Sequence, residues 1–229
     1  MKIQVISALL LFALIVGSCS DSTSPSQTNI SFRSGISESS VSASVNPKSD
    51  EVQSGITEIK INTVRILLNE IKVKLNSEDK KVRTGPAVYT ITPDSQSVEF
   101  ANADLPSGSI EQIKFEFHRF SSSELATYQN NNTFKDFATA DRYSVIITGI
   151  KKVGDTETPF EYKSKMTANL TYNITPPLVI DDKSTTYIDF VFQPEFVFKK
   201  TGALIDPDDP KNFNDIDNLL KDAIKALKK

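Results

Sequence analysis

The stretch that decides the fold is residues 56–75, ITEIKINTVRILLNEIKVKL, which is rich in Ile, Val and Thr. Apolar and polar residues alternate, as in a half-buried strand, but the alternation changes phase at Asn62-Thr63 and again at Asn69-Glu70. These phase changes predict two or three strand pieces joined by a bulge or a tight bend. Strands are favoured because β-branched residues dominate and no capping residue precedes the run. The alternative is a helix, whose spacing is met by Ile61, Val64, Leu68, Ile71 and Leu75.

The rest of the chain repeats this strand signal in short alternating runs separated by turn residues. Many short strands at such spacing predict an all-β fold, a sandwich or a barrel. Pro194 breaks the last run and is expected at a bulge or an edge. The predicted strands are 87–91, 98–100, 110–120, 142–152, 160–164, 166–174, 178–180 and 186–198.

The C-terminus is predicted to be one amphipathic helix over residues 212–228. Apolar residues recur there at three- and four-residue spacing, and Asn212 is placed to cap the first turn. Acidic residues early and lysines late in the segment complement the helix dipole. The apolar stripe is expected to pack on the sandwich, the alternative being a helix that lies on a membrane.

Composition excludes several classes of function. The chain has 26 Lys and Arg against 29 Asp and Glu, a near-neutral balance that argues against nucleic acid as a partner. One Cys excludes an intrachain disulfide, and one His excludes a multi-His zinc site. His118 is expected to be an ordinary solvent-facing strand residue, on the face opposite Phe115 and Phe117.

The N-terminus has the pattern of a secretory signal, because Lys2 precedes the run Ile3–Val16, in which twelve of fourteen residues are apolar. The run ends in Val16, Gly17, Ser18 and Cys19, which resembles a bacterial lipobox. The resemblance implies that residues 1–18 are removed and that Cys19 carries a diacylglycerol. The alternatives are an ordinary cleaved signal with an incidental cysteine, or a single uncleaved helix.

The lipobox resemblance also implies a location in the cell envelope. Ser20, rather than Asp, follows the cysteine. In lipoproteins of two-membrane bacteria this favours the outer membrane, at its periplasmic face or at the surface, with the membrane itself as a partner through the lipid anchor.

Residues 19–54 are predicted to be the lipidated cysteine and a disordered tether. Thirteen of the 35 residues from Ser20 to Ser54 are Ser, with few apolar residues between them. A spacer is favoured over a partner-binding segment around Ile30-Ser31-Phe32. The folded domain is therefore expected to span residues 55–229.

One internal motif resembles a known type of domain. Residues 105–115, LPSGSIEQIKF, resemble the Leu-Pro-x-Gly motif of bacterial β-sandwich domains, including an uncharacterised lipoprotein family and the transthyretin-like, carboxypeptidase-regulatory type. The resemblance implies an antiparallel, immunoglobulin-like or transthyretin-like Greek-key sandwich and no particular reaction. Pro106 and Gly108 are expected to form a tight turn before a strand that buries Ile113, Phe115 and Phe117.

The sequence contains no catalytic motif, neither a Gly-x-Ser-x-Gly elbow nor a phosphate-binding glycine loop, so we expect no enzyme. The long loop 121–139, with its Asn130-Asn131-Asn132 tract, is a place to look for function. Oxygen ligands cluster near the C-terminus, where a polar loop feeding helix caps is favoured over a Ca²⁺ site. The candidate calcium ligands are Asp206, Asp208, Asp209, Asn212, Asn214 and Asp215.

Together these observations predict a lipid-anchored, non-enzymatic β-sandwich that binds or assembles with an envelope protein or polysaccharide, with no cofactor besides its acyl lipid. Three alternatives remain open. They are a calcium- or carbohydrate-binding module, a pilus-like subunit whose edge strand is completed by a neighbour, and a hydrolase that uses paired carboxylates.

Overall fold

The computed structural model describes residues 29–43, 55–83, 85–93 and 98–228, with side chains described as far as residue 224. The predicted signal segment 1–18, the lipobox residues Val16, Gly17 and Ser18, and the predicted lipidation site Cys19 lie outside these residues.

The deciding stretch forms one strand, β3 (Ile56–Leu75), rather than separate pieces. Its pairing register shifts at several points, two of which lie between Ile61 and Thr63 and between Leu68 and Ile71. These two irregularities coincide with the two phase changes in the sequence, so the predicted bulges are confirmed and the helix alternative is wrong. The strand stays continuous because, at each bulge, one of its edges keeps the same partner strand on both sides.

The other strands and helices follow in chain order. Before β3 come β1 (Ile30–Ile36) and β2 (Ser40–Ser42). After it come β4 (Glu78–Arg83), β5 (Ala87–Ile91), β6 (Val98–Ala103), β7 (Gly108–Phe117), α1 (Ser122–Tyr128), β8 (Val145–Val153), β9 (Thr156–Ser164), β10 (Ala168–Ile180) and β11 (Thr186–Phe192). The chain ends with α2 (Glu195–Phe198), β12 (Lys199–Lys200), β13 (Ala203–Leu204), a 3₁₀ turn (Pro210–Asn212), α3 (Phe213–Leu220) and β14 (Ile224–Lys228).

An eight-stranded antiparallel sheet is built around β3. Along one edge of β3, β8 pairs with its first half and β7 with its second half, while β2, β5 and β4 pair along the opposite edge. Outer strands β10 and β9 then pair with β7 and β8. The second sheet has the order β14-β11-β1-β6, and a short ribbon joins β12 to β13.

The two sheets enclose one main core, so the predicted all-β sandwich is confirmed. The strand that follows the Leu-Pro-x-Gly motif is buried as expected at Ile113, Phe115 and Phe117. The expected tight turn at Pro106 and Gly108 is not formed, because the chain only bends at Ser107 and Gly108 is already the first residue of β7. The pairing is antiparallel except between β1 and β11, which run parallel. Aromatic rings fill the centre of the core, where the centroid of the Phe190 ring lies 4.9 Å from that of Phe115 and 5.8 Å from that of Phe32.

The predicted disordered tether is wrong for residues 29–43. Ile30 and Phe32 are fully buried, and β1 is an inner strand between β11 and β6. Asn29 fixes the start of β1, because its side-chain amide donates to the Leu105 carbonyl oxygen at 2.6 Å and its Oδ1 accepts from the Leu105 N–H at 3.0 Å. The folded domain therefore begins well before residue 55. Composition could not reveal this, because the strand is stabilised by residues more than 150 positions away.

The predicted helix 212–228 is correct only over its first half. Helix α3 ends at Leu220, and Ile224–Lys228 instead adds a strand to the edge of β11. The expected packing on the sandwich is confirmed, since Ile216 and Leu220 are buried. The segment leaves the helix because pairing with β11 satisfies backbone groups that the edge of the sheet would otherwise leave open.

The predicted loop 121–139 folds onto the outer face of the large sheet and contains α1. Phe120 and Phe137 are fully buried there against Leu67 of β3. Arg65 holds the loop, because its guanidinium donates to Asp136 at 2.6 Å and to the Thr133 carbonyl oxygen at 3.2 Å. The Asn130-Asn131-Asn132 tract is exposed at its tip.

We expect Phe32→Ala to lower the free energy of unfolding by about 3–5 kcal/mol, because it leaves a cavity in the main core. Urea denaturation measures the change, with the exposed Glu38→Ala as the matched control in the same segment. If both variants unfolded at the wild-type urea concentration, residues 29–43 would be a spacer after all.

Candidate functional site

The candidate calcium ligands do not converge on one point. The side chains of Asp206 and Asp208 both bind the Lys151 ammonium, at 2.6 and 2.8 Å. Burial lowers the pKa of Lys151, but the two carboxylates more than offset this and leave its pKa raised. The carboxylates are thus engaged by a protein cation, where a calcium ion would need them free.

The remaining candidate ligands serve other purposes. Asp209 caps the 3₁₀ turn by accepting from the Lys211 N–H at 3.0 Å, and Asp215 pairs with Lys200 at 3.0 Å. Asn212 donates to the Asp206 carbonyl oxygen, and Asn214 is exposed. Within the described ranges no three His, Cys, Asp or Glu side chains are grouped so that they could hold a metal ion.

Asp217, from the same acidic segment, fastens α3 to the sandwich. Its Oδ1 accepts hydrogen bonds from the Tyr162 and Ser164 hydroxyls of β9, each at 2.5 Å. Burial and the neighbouring carboxylate raise the pKa of Tyr162, which therefore remains a hydrogen-bond donor. This contact is structural, since both hydroxyls belong to residues that are almost fully buried.

The expectation that His118 faces solvent is wrong. Its side chain is 13 % exposed, lies edge-on to Phe120, and has Nε2 3.3 Å from Glu124 Oε1. Burial raises the pKa of Glu124, but hydrogen bonds from Ser121 and the nearby His118 outweigh it and leave the pKa lowered. His118 is covered because α1 folds back over the end of β7.

Of three cavities that described residues line, the largest lies beside β10. Two separate strands were predicted on either side of Pro176-Pro177, but the structure has one strand whose pairing with β7 is interrupted between Asn173 and Leu178. The interrupting residues bulge away from β7, and the Thr175–Pro176 peptide bond is cis. A cavity of about 630 Å³ opens under this bulge, at the side of the sandwich.

The cavity has an apolar wall and a polar rim. Ile113, Leu178 and Ile188, all buried core residues, form the wall. The hydroxyl or amide groups of Thr171, Asn173 and Thr175 lie at the rim, and none of the described lining residues is charged. Proline within a run of strand residues predicts an interruption of the strand at this point. It does not predict the cavity that lies under the bulge.

Tyr172 closes one side of this cavity and ties the two sheets together. Its hydroxyl donates to the Ile224 carbonyl oxygen of β14 at 2.8 Å. Its ring stacks on Phe115 at a centroid distance of 5.4 Å and meets Phe190 edge-on. Burial raises the pKa of the Tyr172 hydroxyl, so it stays neutral and able to donate.

The other two cavities are smaller and carry charge. One, of about 260 Å³, lies on the outer face of the large sheet, where Lys114 pairs with Asp79 and Lys72 pairs with Glu70. The second, of about 420 Å³, is lined by both Arg83 and Glu99. The β10 cavity therefore differs from both in size and in its neutral lining.

Among the helices that the structure describes, none combines the length and the apolar character needed to cross a membrane. Comparisons with protein families, with curated proteins and with solved structures find no match to this chain.

We expect Asp217→Ala to lower the free energy of unfolding by about 1–3 kcal/mol, because the buried Ser164 hydroxyl loses its acceptor and the Tyr162 hydroxyl keeps only the longer contact to the Phe213 carbonyl oxygen, at 3.3 Å. Chemical denaturation of the variant against the exposed Asn218→Ala, one position along α3, isolates the contact from effects on the helix itself. Equal denaturation midpoints for the two variants would contradict the assigned role of Asp217.

Proposed function

We propose that this protein is a lipid-anchored component of the cell envelope with a non-enzymatic binding role, attached through an acylated Cys19 and favouring the outer membrane. The lipobox resemblance of Val16–Cys19 supports the anchor. The β10 cavity supports the binding role, because its neutral wall and rim offer shape and hydrogen bonds but no acid, base or metal ligand.

The alternatives have less support. Calcium binding would have to displace Lys151 from Asp206 and Asp208. The same two carboxylates share Lys151 as their partner, so a hydrolase built on this pair would have to work with carboxylates already neutralised by a lysine. Neither alternative uses the β10 cavity.

The shorter spacer limits how far the domain can stand from the membrane. Asn29, which is held by Leu105 at the start of β1, follows Cys19 by ten positions. At full extension ten residues span roughly 33–36 Å. The end of the sandwich that carries Asn29 is therefore the end nearest the proposed anchor.

The anchor is tested by Cys19→Ser. Wild-type protein from a two-membrane bacterial host should have the mass of residues 19–229 plus acyl chains and should fractionate with membranes. The variant should lose the acyl mass. An unacylated wild-type protein would remove the anchor from the proposal.

The binding role is tested by the accessibility of the cavity to a neutral apolar probe. Under xenon pressure, the methyl resonances of Ile113, Leu178 and Ile188 should shift, because xenon enters open apolar cavities. The methyl groups of Ile216, on the buried face of α3, are the control, and their resonances should not shift. No selective shift at the cavity would leave the binding role without a site.

A further inference from the structure

We propose that the open edge of β10 pairs with an extended, uncharged segment of another polypeptide, and that an apolar side chain of this segment enters the neighbouring cavity. The proposal rests on the binding role above and names the class of its partner.

The first observation is the position of β10. In the described part of the chain β10 is the last strand of the large sheet beyond β7, and residues 168–173 pair with β7 without interruption. A strand in this position directs alternate N–H and C=O groups away from its own sheet. Residues 168–173 therefore present a row of backbone donors and acceptors to an incoming strand.

The second observation is the absence of charge. The 13 residues of β10 include no Asp, Glu, Lys, Arg or His. Charged residues on an edge strand discourage pairing with other chains. The short outer strands β2 and β5 also lack charge, but the longer terminal strands β9, β6 and β14 carry charged residues. These are Glu157, Glu161 and Lys163 in β9, Glu99 in β6, and Lys225 and Lys228 in β14.

The third observation is how the side chains of β10 divide between the two faces. Leu170 and Tyr172 lie opposite Phe115 and Ile113 of β7, so they face the core, yet they are only half-buried at the side of the sandwich. The alternate residues Asn169, Thr171 and Asn173 are exposed on the outer face. An incoming strand with apolar residues inward and polar residues outward would therefore continue both the apolar inner face and the polar outer face of the large sheet.

The cavity supplies a place for one inward side chain. It begins where the regular ladder of β10 ends, and its wall consists of core residues. In strand addition, main-chain hydrogen bonds give affinity and side-chain pockets give specificity. A sugar would need an aromatic ring on which to stack, but the Tyr172 ring is already in contact with the rings of Phe115 and Phe190. A polypeptide therefore fits this site better than a sugar.

A second copy of this chain fits the site less well than a different polypeptide. If the β10 strands of two copies paired antiparallel over residues 168–173, Lys165 and Thr167 of one copy would come opposite the bulge of the other. Met166, between them, is 9 % exposed and belongs to its own core. Neither copy would then offer an apolar side chain to the cavity.

The test uses the full chain in detergent and dye-labelled peptides, Ac-TVTXTVT-NH₂, with Ala, Val, Leu or Phe at X. Fluorescence anisotropy measures binding, and hydrogen exchange locates it. We expect slower exchange at residues 168–173 and at least tenfold tighter binding with Leu or Phe than with Ala. N-methylation at alternate residues blocks one peptide edge, so one methylated series should lose at least tenfold in affinity and the other should not.

Two lysine variants place the site. Leu170→Lys puts a charge where the added strand would bury it, and should weaken binding at least tenfold. Val179→Lys adds the same charge to the same strand beyond the bulge, at a position that is 68 % exposed, and should leave binding unchanged. Thermal melts of both variants, together with the more conservative Leu170→Met, separate loss of binding from loss of folding.

Three results would overturn the proposal. They are no binding by any of the four peptides, binding that neither methylated series weakens, and self-association of the chain that Leu170→Lys abolishes. None of these results bears on the proposed anchor, because the anchor is tested separately by the intact mass of the protein. A xenon-accessible cavity without strand pairing would leave the binding role intact and remove only the polypeptide partner.

Discussion

The backbone hydrogen bonding of β3 is the constraint on which the rest of the structure depends. A buried strand of 20 residues cannot leave its N–H and C=O groups unpaired, and five strands are recruited to its two edges. The change of partner occurs at Leu67, whose N–H donates to Ser144 and whose carbonyl oxygen accepts from His118. Between these two partners the chain leaves the sheet as the loop that carries α1. The position of that loop therefore follows from the point where one neighbour of β3 ends and the next begins.

The parts of the fold that could be predicted from the sequence are those in which the signal is local. The phase changes in residues 56–75 locate two bulges, because side chains alternate along a strand and an extra residue shifts that alternation. The Leu-Pro-x-Gly motif likewise identifies the start of β7, since its glycine is the first residue of that strand. At the candidate site, Pro176-Pro177 marks the interruption of β10 in the same way.

The parts that could not be predicted depend on partners distant in sequence. β1 and β14 lie on opposite sides of β11, and each is paired with residues far from it in the chain. The Ser-rich composition around Ile30 and the helical spacing around Ile224 describe what each segment would do alone. Both are overridden because an unpaired β11 would leave backbone groups open and core side chains uncovered. The β10 cavity also depends on residues that are distant in sequence, because its wall combines Ile113, Leu178 and Ile188 from three strands.

The position of β1 also connects the fold to the proposed anchor. Ile30 lies beside Thr186 and Ala103, so the turns before β11 and after β6 share the end of the sandwich at which β1 begins. Ile180, at the end of β10, pairs with Gly108 at this same end. If Cys19 carries the lipid, the bulge and its cavity face the space close to the membrane, and residues 173–168 lead away from it. A segment pairing with β10 would then run between the membrane-proximal end of the domain and its far end. The short spacer makes this geometry a consequence of where β1 begins.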